Sequence, residues 1–299
     1  MTQMFDLSAY LLQKRTAINA AIHEVLEENH SESRIHRAMR YSLDAGGKRV
    51  RPILSIAAAE SVGGRETAVI HFACAVEMIH TYSLIHDDLP AMDNDNLRRG
   101  KPTSHIQFDE STAILAGDAL LTFAFEILSA AEYRNTCPPS TALDVIHIIT
   151  VAAGRRGMIE GQMRDILAEG RQLHAHQLES IHRLKTGALI EASIHAGALL
   201  GGATTEQIEK LRTFGRRIGV AFQVMDDILN VKGDSHLMGK AVGSDAKRGK
   251  ITYPGLMGLS KSEAYAADLV ETGLQAISGF DEKAEALRAI ARYIIERNK

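Results

Sequence analysis

Residues 67–96 read TAVIHFACAVEMIHTYSLIHDDLPAMDNDN and join a long apolar segment to a cluster of acids. The apolar side chains of the first part recur with helical spacing, which predicts a buried helix. Four acids then follow within nine positions: Asp87, Asp88, Asp93 and Asp95. Like charges repel unless a cation lies among them, and Mg²⁺ is bound by a few carboxylates together with substrate phosphates. The stretch therefore predicts a helix that ends at a metal site, with a solvated acidic helix end as the alternative.

The rest of the chain shows the same helical pattern. Further apolar segments with a period of about 3.6 residues cover 17–28, 113–131, 141–153, 206–222 and 282–297. The breaks between segments carry Gly or Pro, and no alternating strand pattern stands beside a hairpin turn. No Gly/Ser-rich linker divides the chain. We expect an all-α fold, a single large helical bundle that forms one domain over residues 1–299.

Composition excludes several classes of protein. The 299 residues carry a net charge of −3, with 45% apolar and 24% charged residues, which excludes a disordered chain and a globally basic nucleic-acid binder. Two cysteines fit a reducing compartment, and the first residues lack a signal-peptide pattern. The apolar segment 113–131 contains Asp118 and Glu126, which favours a core helix over a membrane span. We expect a cytoplasmic protein with no nucleic-acid partner that is not an integral membrane protein.

A second acidic motif, QVMDDILN, occupies residues 223–230. Asp226 and Asn230 are four residues apart and share a helix face, whereas Asp227 points about 100° away. The two acids stand among apolar residues, which is not typical of a solvent-exposed helix face. A buried carboxylate needs a partner, because burying it alone is unfavourable. One such motif is a weak signal. Two Asp-Asp pairs, each ending an apolar helix, together predict a metal-binding cavity.

Two basic segments complete the pattern. GGKRVRP covers residues 46–52, and RRGKP covers residues 98–102 directly after the first acidic motif. Glycine allows a backbone to approach a ligand closely, and Arg binds phosphate oxygens with a two-pronged fork. Exposed solubilising charge is the alternative for any single Lys or Arg. Beside an acidic cluster, these segments predict a site for diphosphate bridged by metal. No phosphate-binding glycine loop and no zinc-ligand spacing is present in the sequence.

These motifs resemble those of the trans-isoprenyl diphosphate synthases, specifically the bacterial farnesyl diphosphate synthases. The matching blocks are GGKRVRP (46–52), EMIHTYSLIHDDLPAMDNDNLRRGKPTSH (77–105), ILAGDALL (114–121), HRLKTGALI (182–190), FQVMDDILNVKGD (222–234) and LMGKAVGSDAKRGKITYPGLMG (237–258). The resemblance implies helices around a deep central cavity, a homodimer, and head-to-tail condensation of isopentenyl diphosphate with dimethylallyl or geranyl diphosphate. It implies ionisation, condensation and elimination, and a C15 product, farnesyl diphosphate.

The resemblance also implies a role for each matched residue. Three Mg²⁺ ions, or Mn²⁺, would be held by Asp87, Asp88, Asp93, Asp226 and Asp227. The isopentenyl diphosphate site would comprise Lys48, Arg51, His80 and Arg99. The allylic diphosphate would be bound by Arg98, Lys185 and Lys240. Thr186 and Gln223 would lie beside the developing allylic cation, so that Lys185, Thr186 and Gln223 are the expected catalytic residues. The released diphosphate would accept the final proton.

Product length is expected to depend on Tyr82. It precedes Asp87 by five residues, about 7.5 Å along a helix, whereas Ser83 is too small to block a growing chain. In the family that the chain resembles, an aromatic residue at this position together with the Pro90-Ala91 insertion is typical of enzymes that release a C15 product. The alternative is a core aromatic without this role. The alternative functions are a geranylgeranyl (C20) diphosphate synthase, a terpene cyclase, which would not need the second basic site, and a non-catalytic synthase subunit.

Two positions depart from the commonest family pattern and generate a prediction. Asn230 stands where a third Asp is usual in the second motif, and Asn96 follows Asp95 where another Asp is usual. Asn still offers a carbonyl oxygen, so we expect Asn230→Asp to change activity less than about tenfold at saturating Mg²⁺. Steady-state assays over a range of Mg²⁺ concentrations measure this. A gain of about a hundredfold would show instead that the native site binds metal poorly.

Overall fold

Helices make up most of the computed structural model, which describes residues 5–27, 33–232 and 250–296. In chain order they are α1 (Leu7–Glu27), α2 (Arg34–Leu43), α3 (Val50–Glu60), α4 (Ile70–Asp87), α5 (Ser104–Gln107), α6 (Glu110–Ser129), α7 (Ala131–Arg134), α8 (Pro139–Ala153), α9 (Met158–Ala168), α10 (Ala175–His182), α11 (Ala188–Leu200), α12 (Thr205–Lys232), α13 (Tyr253–Met257), α14 (Leu259–Ala276) and α15 (Glu285–Glu296). The expected all-α fold is confirmed.

Short elements of other types connect these helices. Single 3₁₀ turns cover Glu66–Ala68 and Glu282–Ala284, and a π-helical segment, Arg183–Gly187, joins α10 to α11. Strands β1 (Leu97–Arg98) and β2 (Lys101–Pro102) pair antiparallel across Arg99 and Gly100. The hairpin holds the second basic segment close to the end of α4.

The core is built around α4, which is buried on almost every side. Phe72 to Ile79 are all buried, as expected for a helix that is apolar all round. Helix α4 packs along α6 and α3, α11 packs on α3 and α12, and α12 packs on α14. Among the described residues, one helix, α6, is long and apolar enough to cross a membrane by length and composition. It packs against α4 and α2, as a core helix does, and 44% of its apolar stretch is buried.

Close packing of α11 on α3 depends on a glycine. A Cβ atom built on Gly197 would lie 2.0 Å from the carbonyl oxygen of Ser55, far inside van der Waals contact. The two helix backbones therefore touch at this point, and both helices contribute large parts of the core.

We expect Gly197→Ala to lower the free energy of unfolding by about 1–3 kcal/mol, because the methyl group must push two helix backbones apart. The gain in helix propensity, about 0.5–1 kcal/mol, acts in the opposite direction and is smaller. Urea unfolding followed by circular dichroism measures the change. Gly279→Ala is the matched control, since a Cβ atom there meets no atom within 4 Å. Equal stability of the two variants would contradict the close contact.

Candidate active site

A cavity of about 970 Å³ lies between α4, α9, α12 and the π-helical segment. Its wall contains many of the residues that the sequence singles out: Lys48, Arg51, His80, Tyr82, Ser83, Asp87, Arg98, Arg99, Lys185, Thr186, Gln223 and Asp226. Asp88, Asp93 and Asp227 lie beside this wall without lining it, and Lys240 lies outside the described residues. The structure thus gathers residues from distant motifs at one place, while the role of each stays a prediction.

The first acidic motif folds back on itself at the end of α4. The amide nitrogen of Asp93 donates to the carbonyl oxygen of Asp87 at 2.8 Å, and Asn94 adopts a left-handed conformation with φ of 51°. Burial raises the pKa of Asp87, and the nearby charge of Asp93 raises it further although Lys185 opposes the shift. A buried carboxylate with a raised pKa lacks full compensation for its charge. Asp87 and Asp93 therefore form a place where a bound cation would be stabilised.

Asp88 points away from this cation site. It is only 3% exposed, and both its carboxylate oxygens accept hydrogen bonds from the Arg98 guanidinium, at 2.5 to 2.9 Å. Such a two-pronged pair is among the strongest polar contacts in proteins. It ties hairpin β1–β2 to the end of α4. The family resemblance implies that Asp88 is a metal ligand and that Arg98 is a diphosphate ligand. In this structure the two side chains bind each other instead.

Two lysines are held by acids at the cavity edge. Lys185 Nζ donates to Asp165 Oδ2 at 2.6 Å, and Lys250 Nζ donates to Asp93 Oδ1 at 2.9 Å and lies 3.6 Å from Asp165. Burial alone would raise the pKa of Asp165, but the two ammonium charges outweigh it and leave the pKa lowered. The sequence analysis missed Asp165. Its only signal is its position on an amphipathic helix, four residues after Gly161.

The second acidic motif separates its two carboxylates as helical geometry predicts. Asp226 lines the cavity. Asp227 is 3% exposed, and its oxygens accept from Gln223 Nε2 at 3.2 Å and from the Tyr253 amide at 3.0 Å. Gln223 Oε1 in turn accepts from the Thr186 hydroxyl at 2.9 Å. Asp227 therefore anchors a hydrogen-bonded chain that ends at the cavity wall.

The π-helical segment presents Lys185 and Thr186 to the cavity. Such wide turns change the direction of side chains and carbonyl groups and are frequent at functional sites. A glycine leaves room for the backbone of this segment, because a Cβ atom on Gly161 would lie 2.2 Å from the amide nitrogen of Lys185. Helix α9 can thus approach the π-helical backbone closely. Asn230, by contrast, is buried near the end of α12 and does not line the cavity.

The basic segments meet at another part of the cavity. The Arg99 guanidinium donates to the carbonyl oxygen of Gly46 and lies against Gly47, where a Cβ atom would be 2.7 Å from Nη1. Gly47 has φ of 144°, which favours glycine. Within the described ranges, buried Arg51 Nε has no hydrogen-bond partner, an observation that fits an anionic ligand. Arg15 from α1 also lines the cavity, and no motif in the sequence indicates this.

The acidic side chains of the cavity differ from a complete metal cage. Within residues 5–27, 33–232 and 250–296, no three His, Cys, Asp or Glu side chains form a ready-made metal cage. Mg²⁺ does not require one, because it keeps waters and binds through one or two carboxylates plus substrate phosphates. Asp87, Asp93 and Asp226 supply hard oxygen atoms of this kind. The donor set therefore fits Mg²⁺ bound together with a phosphorylated ligand.

His80 is expected to stay neutral at physiological pH. Burial lowers its pKa well below the usual 6.5, and the charges of Arg51 and Arg99 lower it further. Because the neutral form exists above a lowered pKa, the ring should not gain a proton between about pH 8 and pH 6. NMR titration of ring-labelled histidine measures this, with His80→Gln identifying the resonance. A midpoint near 6.5 in the free protein would contradict the prediction.

Comparisons with known proteins identify relatives of this chain in sequence and in structure. The model of the polyprenyl synthetase family matches residues 32–292. The chain is 48% identical over 297 residues to the chloroplastic heterodimeric geranylgeranyl pyrophosphate synthase large subunit 1 of Arabidopsis thaliana, covering 98% of this chain and 80% of that protein. It is 43% identical over 293 residues to the farnesyl diphosphate synthase of Geobacillus stearothermophilus, covering 98% of each. A crystal structure of an FPP/GFPP synthase from Zymomonas mobilis superposes with a TM-score of 0.86 at 37% identity, covering 97% of this chain and 98% of that one. The chain therefore belongs to the polyprenyl synthetase family, the trans-prenyl diphosphate synthases.

Proposed function

We propose that this protein is a magnesium-dependent prenyltransferase that condenses isopentenyl diphosphate with dimethylallyl or geranyl diphosphate and releases C15 farnesyl diphosphate. One observation carries the proposal: a single cavity contains the acids Asp87 and Asp226 together with the cations Lys48, Arg51 and Arg99. Two diphosphate groups need two sources of positive charge. Bound metal supplies one source, and the Lys and Arg side chains supply the other. A terpene cyclase binds one diphosphate and has no need of the basic set.

We assign the metal role to Asp87, Asp93 and Asp226, which is narrower than the assignment from sequence. Asp88 and Asp227 are each 3% exposed and are engaged by Arg98 and by Gln223 with the Tyr253 amide, so they position their neighbours. Asp93 is paired with Lys250 at the more open cavity edge, and that lysine would turn to the allylic diphosphate when metal binds Asp93. When bound, Mg²⁺ would supply the positive charge that stabilises the departing diphosphate. Up to three ions are expected, and Mn²⁺ offers the same charge.

The lysines at the cavity edge are assigned to the allylic diphosphate. In the free protein, Lys185 is paired with Asp165, and Lys250 is paired with Asp93. Diphosphate oxygens would compete with these carboxylates for the ammonium groups. Lys240 is proposed for the same role from sequence alone. Positive charge placed before the reaction stabilises the leaving group without reorganisation.

Thr186 and Gln223 are assigned to the carbon end of the reaction. As the allylic C1–O bond breaks, positive charge develops on carbon, and the oxygen atoms of these residues would stabilise it. The chain from Thr186 through Gln223 to Asp227 holds those oxygens in place. The isopentenyl double bond then forms the new C–C bond. A proton leaves C2 of the isopentenyl unit and passes to the released diphosphate, so no side-chain base is needed.

Tyr82 is proposed to limit the length of the product. It lines the cavity, is 5% exposed, and makes an edge-to-face contact with His86 at 5.7 Å between ring centres. In the part of the chain that the structure describes, its buried hydroxyl has no hydrogen-bond partner. A buried ring at this place in the cavity wall would block a growing chain, which supports a C15 product. Named relatives include both farnesyl and geranylgeranyl synthases, so a C20 product is the second candidate.

Product analysis tests the proposal directly. Purified protein is incubated with isopentenyl diphosphate and dimethylallyl diphosphate, with Mg²⁺ or with EDTA, and the dephosphorylated alcohols are sized by mass spectrometry. A Mg²⁺-dependent C15 product supports the proposal. A C20 product keeps the reaction and replaces the product assignment. Absence of any product, with geranyl diphosphate also supplied, would favour a non-catalytic synthase subunit.

We expect Tyr82→Ala to shift the main product from C15 toward C20, because removing the ring deepens the cavity. Chromatography of the dephosphorylated products after long incubation measures the distribution. Ser83→Ala is the matched control, since Ser83 lines the same cavity and its hydroxyl donates to the carbonyl oxygen of His80, one turn earlier in α4. Tyr82→Phe should also retain C15. An unchanged product from Tyr82→Ala would remove Tyr82 as the limit.

A homodimer in the cytoplasm completes the proposal. Large apolar side chains on the outside of α6 and α8 support association: Ile114 and Leu115 are 42% and 54% exposed, and Leu143 is 67% exposed. Covering such side chains is favourable in proportion to the apolar area removed from water. Sedimentation velocity at micromolar concentration distinguishes a dimer from a monomer.

A further inference from the structure

Arg49 lies within the first basic segment but does not behave like its neighbours. Lys48 is exposed and Arg51 is half-buried at the cavity, whereas the Arg49 side chain is only 4% exposed. The sequence analysis gives it no role. A buried guanidinium is unfavourable unless it is paired and fully hydrogen-bonded. A side chain as buried as that of Arg49 therefore depends on its partners.

The three partners of Arg49 come from three different helices. Nη1 donates to Glu77 Oε1 on α4 at 2.7 Å, Nη2 donates to the Leu43 carbonyl oxygen at the end of α2 at 2.7 Å, and Nε donates to Asn19 Oδ1 on α1 at 2.9 Å. The Glu77 side chain is 2% exposed. Because Arg49 directly precedes α3, one side chain fixes the start of α3 relative to α1, α2 and α4.

The backbone of Arg49 is strained and needs this support. Its φ of 49° lies in the left-handed region, which an L-residue with a side chain adopts only when its surroundings hold it there. The left-handed residue changes the course of the chain between Lys48 and Arg51. Lys48, Arg49, Arg51 and Glu77 all belong to the cavity wall. Among them, the Arg49 guanidinium is held within the protein by its hydrogen bonds to Asn19, Glu77 and the Leu43 carbonyl oxygen.

Glu77 also acts on the neighbouring cations. Burial lowers the pKa of Arg51 and of Arg99, and the Glu77 carboxylate opposes that shift in both. The carboxylate thus stabilises a group of guanidinium charges that would otherwise repel one another before an anion arrives. Glu77 is the first residue of the matching block 77–105, but the resemblance gives it no role in the proposed reaction.

We propose that the Arg49–Glu77 pair is the positioning element of the isopentenyl diphosphate site, holding residues 46–51 so that Lys48 and Arg51 are placed for the diphosphate before it binds. Three hydrogen bonds within the protein engage the Arg49 guanidinium, so the pair acts through the loop and not as a ligand of the diphosphate. The inference rests on the proposed function, because it concerns the second diphosphate of that reaction. Its consequence is selective: loss of the pair weakens binding of isopentenyl diphosphate and leaves binding of the allylic substrate unchanged.

The test uses Arg49→Met and the double variant Arg49→Met/Glu77→Met. The single variant leaves a buried carboxylate unpaired and is expected to be unstable. The double variant removes both charges, restores stability and leaves the net charge of the site unchanged, since replacing a whole buried pair with apolar residues is often neutral. We expect its Kd for isopentenyl diphosphate, measured by calorimetry without metal, to rise on the order of tenfold through misplacement of the loop. The KM for the allylic substrate and kcat at saturating isopentenyl diphosphate should change less than about threefold.

Lys14→Met is the matched control. Lys14 is another buried cation, 6% exposed, that α1 holds between Glu60 and Glu66 at 2.5 and 2.6 Å, and it does not line the cavity. This variant should lose stability and retain the wild-type Kd for isopentenyl diphosphate. If the double variant regains wild-type stability and wild-type Kd together, the pair is structural only and the inference is overturned. If the wild-type protein neither binds isopentenyl diphosphate nor forms a prenyl product, the proposed function itself fails.

Discussion

Charge pairing inside the cavity wall is the constraint on which this structure depends. The cavity gathers acids and cations that would repel their own kind in a poorly solvated space, and several of these side chains are held by a partner of opposite charge. Asp88 holds Arg98, Asp165 holds Lys185, and Glu77 holds Arg49. Because a buried charge is tolerated only when it is paired, these contacts determine where helix ends, hairpin and loop can lie. Under the proposed function, the pairs at the edge would exchange partners when an anion or a metal ion enters, whereas the Arg49–Glu77 pair is too buried to do so.

The sequence predicts the fold and the two cavity-facing acids well. Helical spacing alone indicates that Asp226 and Asp227 point in different directions. In the structure Asp226 lines the cavity, and Asp227 accepts hydrogen bonds from Gln223 and the Tyr253 amide. The same reasoning fails for Asp88. Its neighbour Asp87 ends a helix and the chain then turns back, so its partner Arg98 comes from a hairpin ten residues later. Spacing along one helix carries no information about that contact.

Residues without a motif are the ones that sequence reasoning misses. Asp165 and Arg15 reach the site from α9 and α1, and only the packing of those helices brings them there. The π-helical segment is equally hidden, since Arg183–Gly187 has an ordinary helix-forming composition apart from its last residue. The close contact of Gly161 with the Lys185 backbone allows α9 to pack directly on this segment. Long-range packing decides these features, and a single sequence does not display it.

The charged residues of the cavity and Tyr82 are held in the wall by different kinds of contact. Ion pairs and hydrogen-bonded chains hold its charged residues, whereas Tyr82 meets the cavity as a ring whose hydroxyl has no partner in the described chain. Substitution at Tyr82 therefore removes no hydrogen bond from these pairs and chains. Under the proposed function, a lineage could change its product by single steps at such a position without passing through an inactive ancestor. Specificity in this architecture can diversify more quickly than chemistry, and overall sequence identity is then a poor guide to the product that a given family member makes.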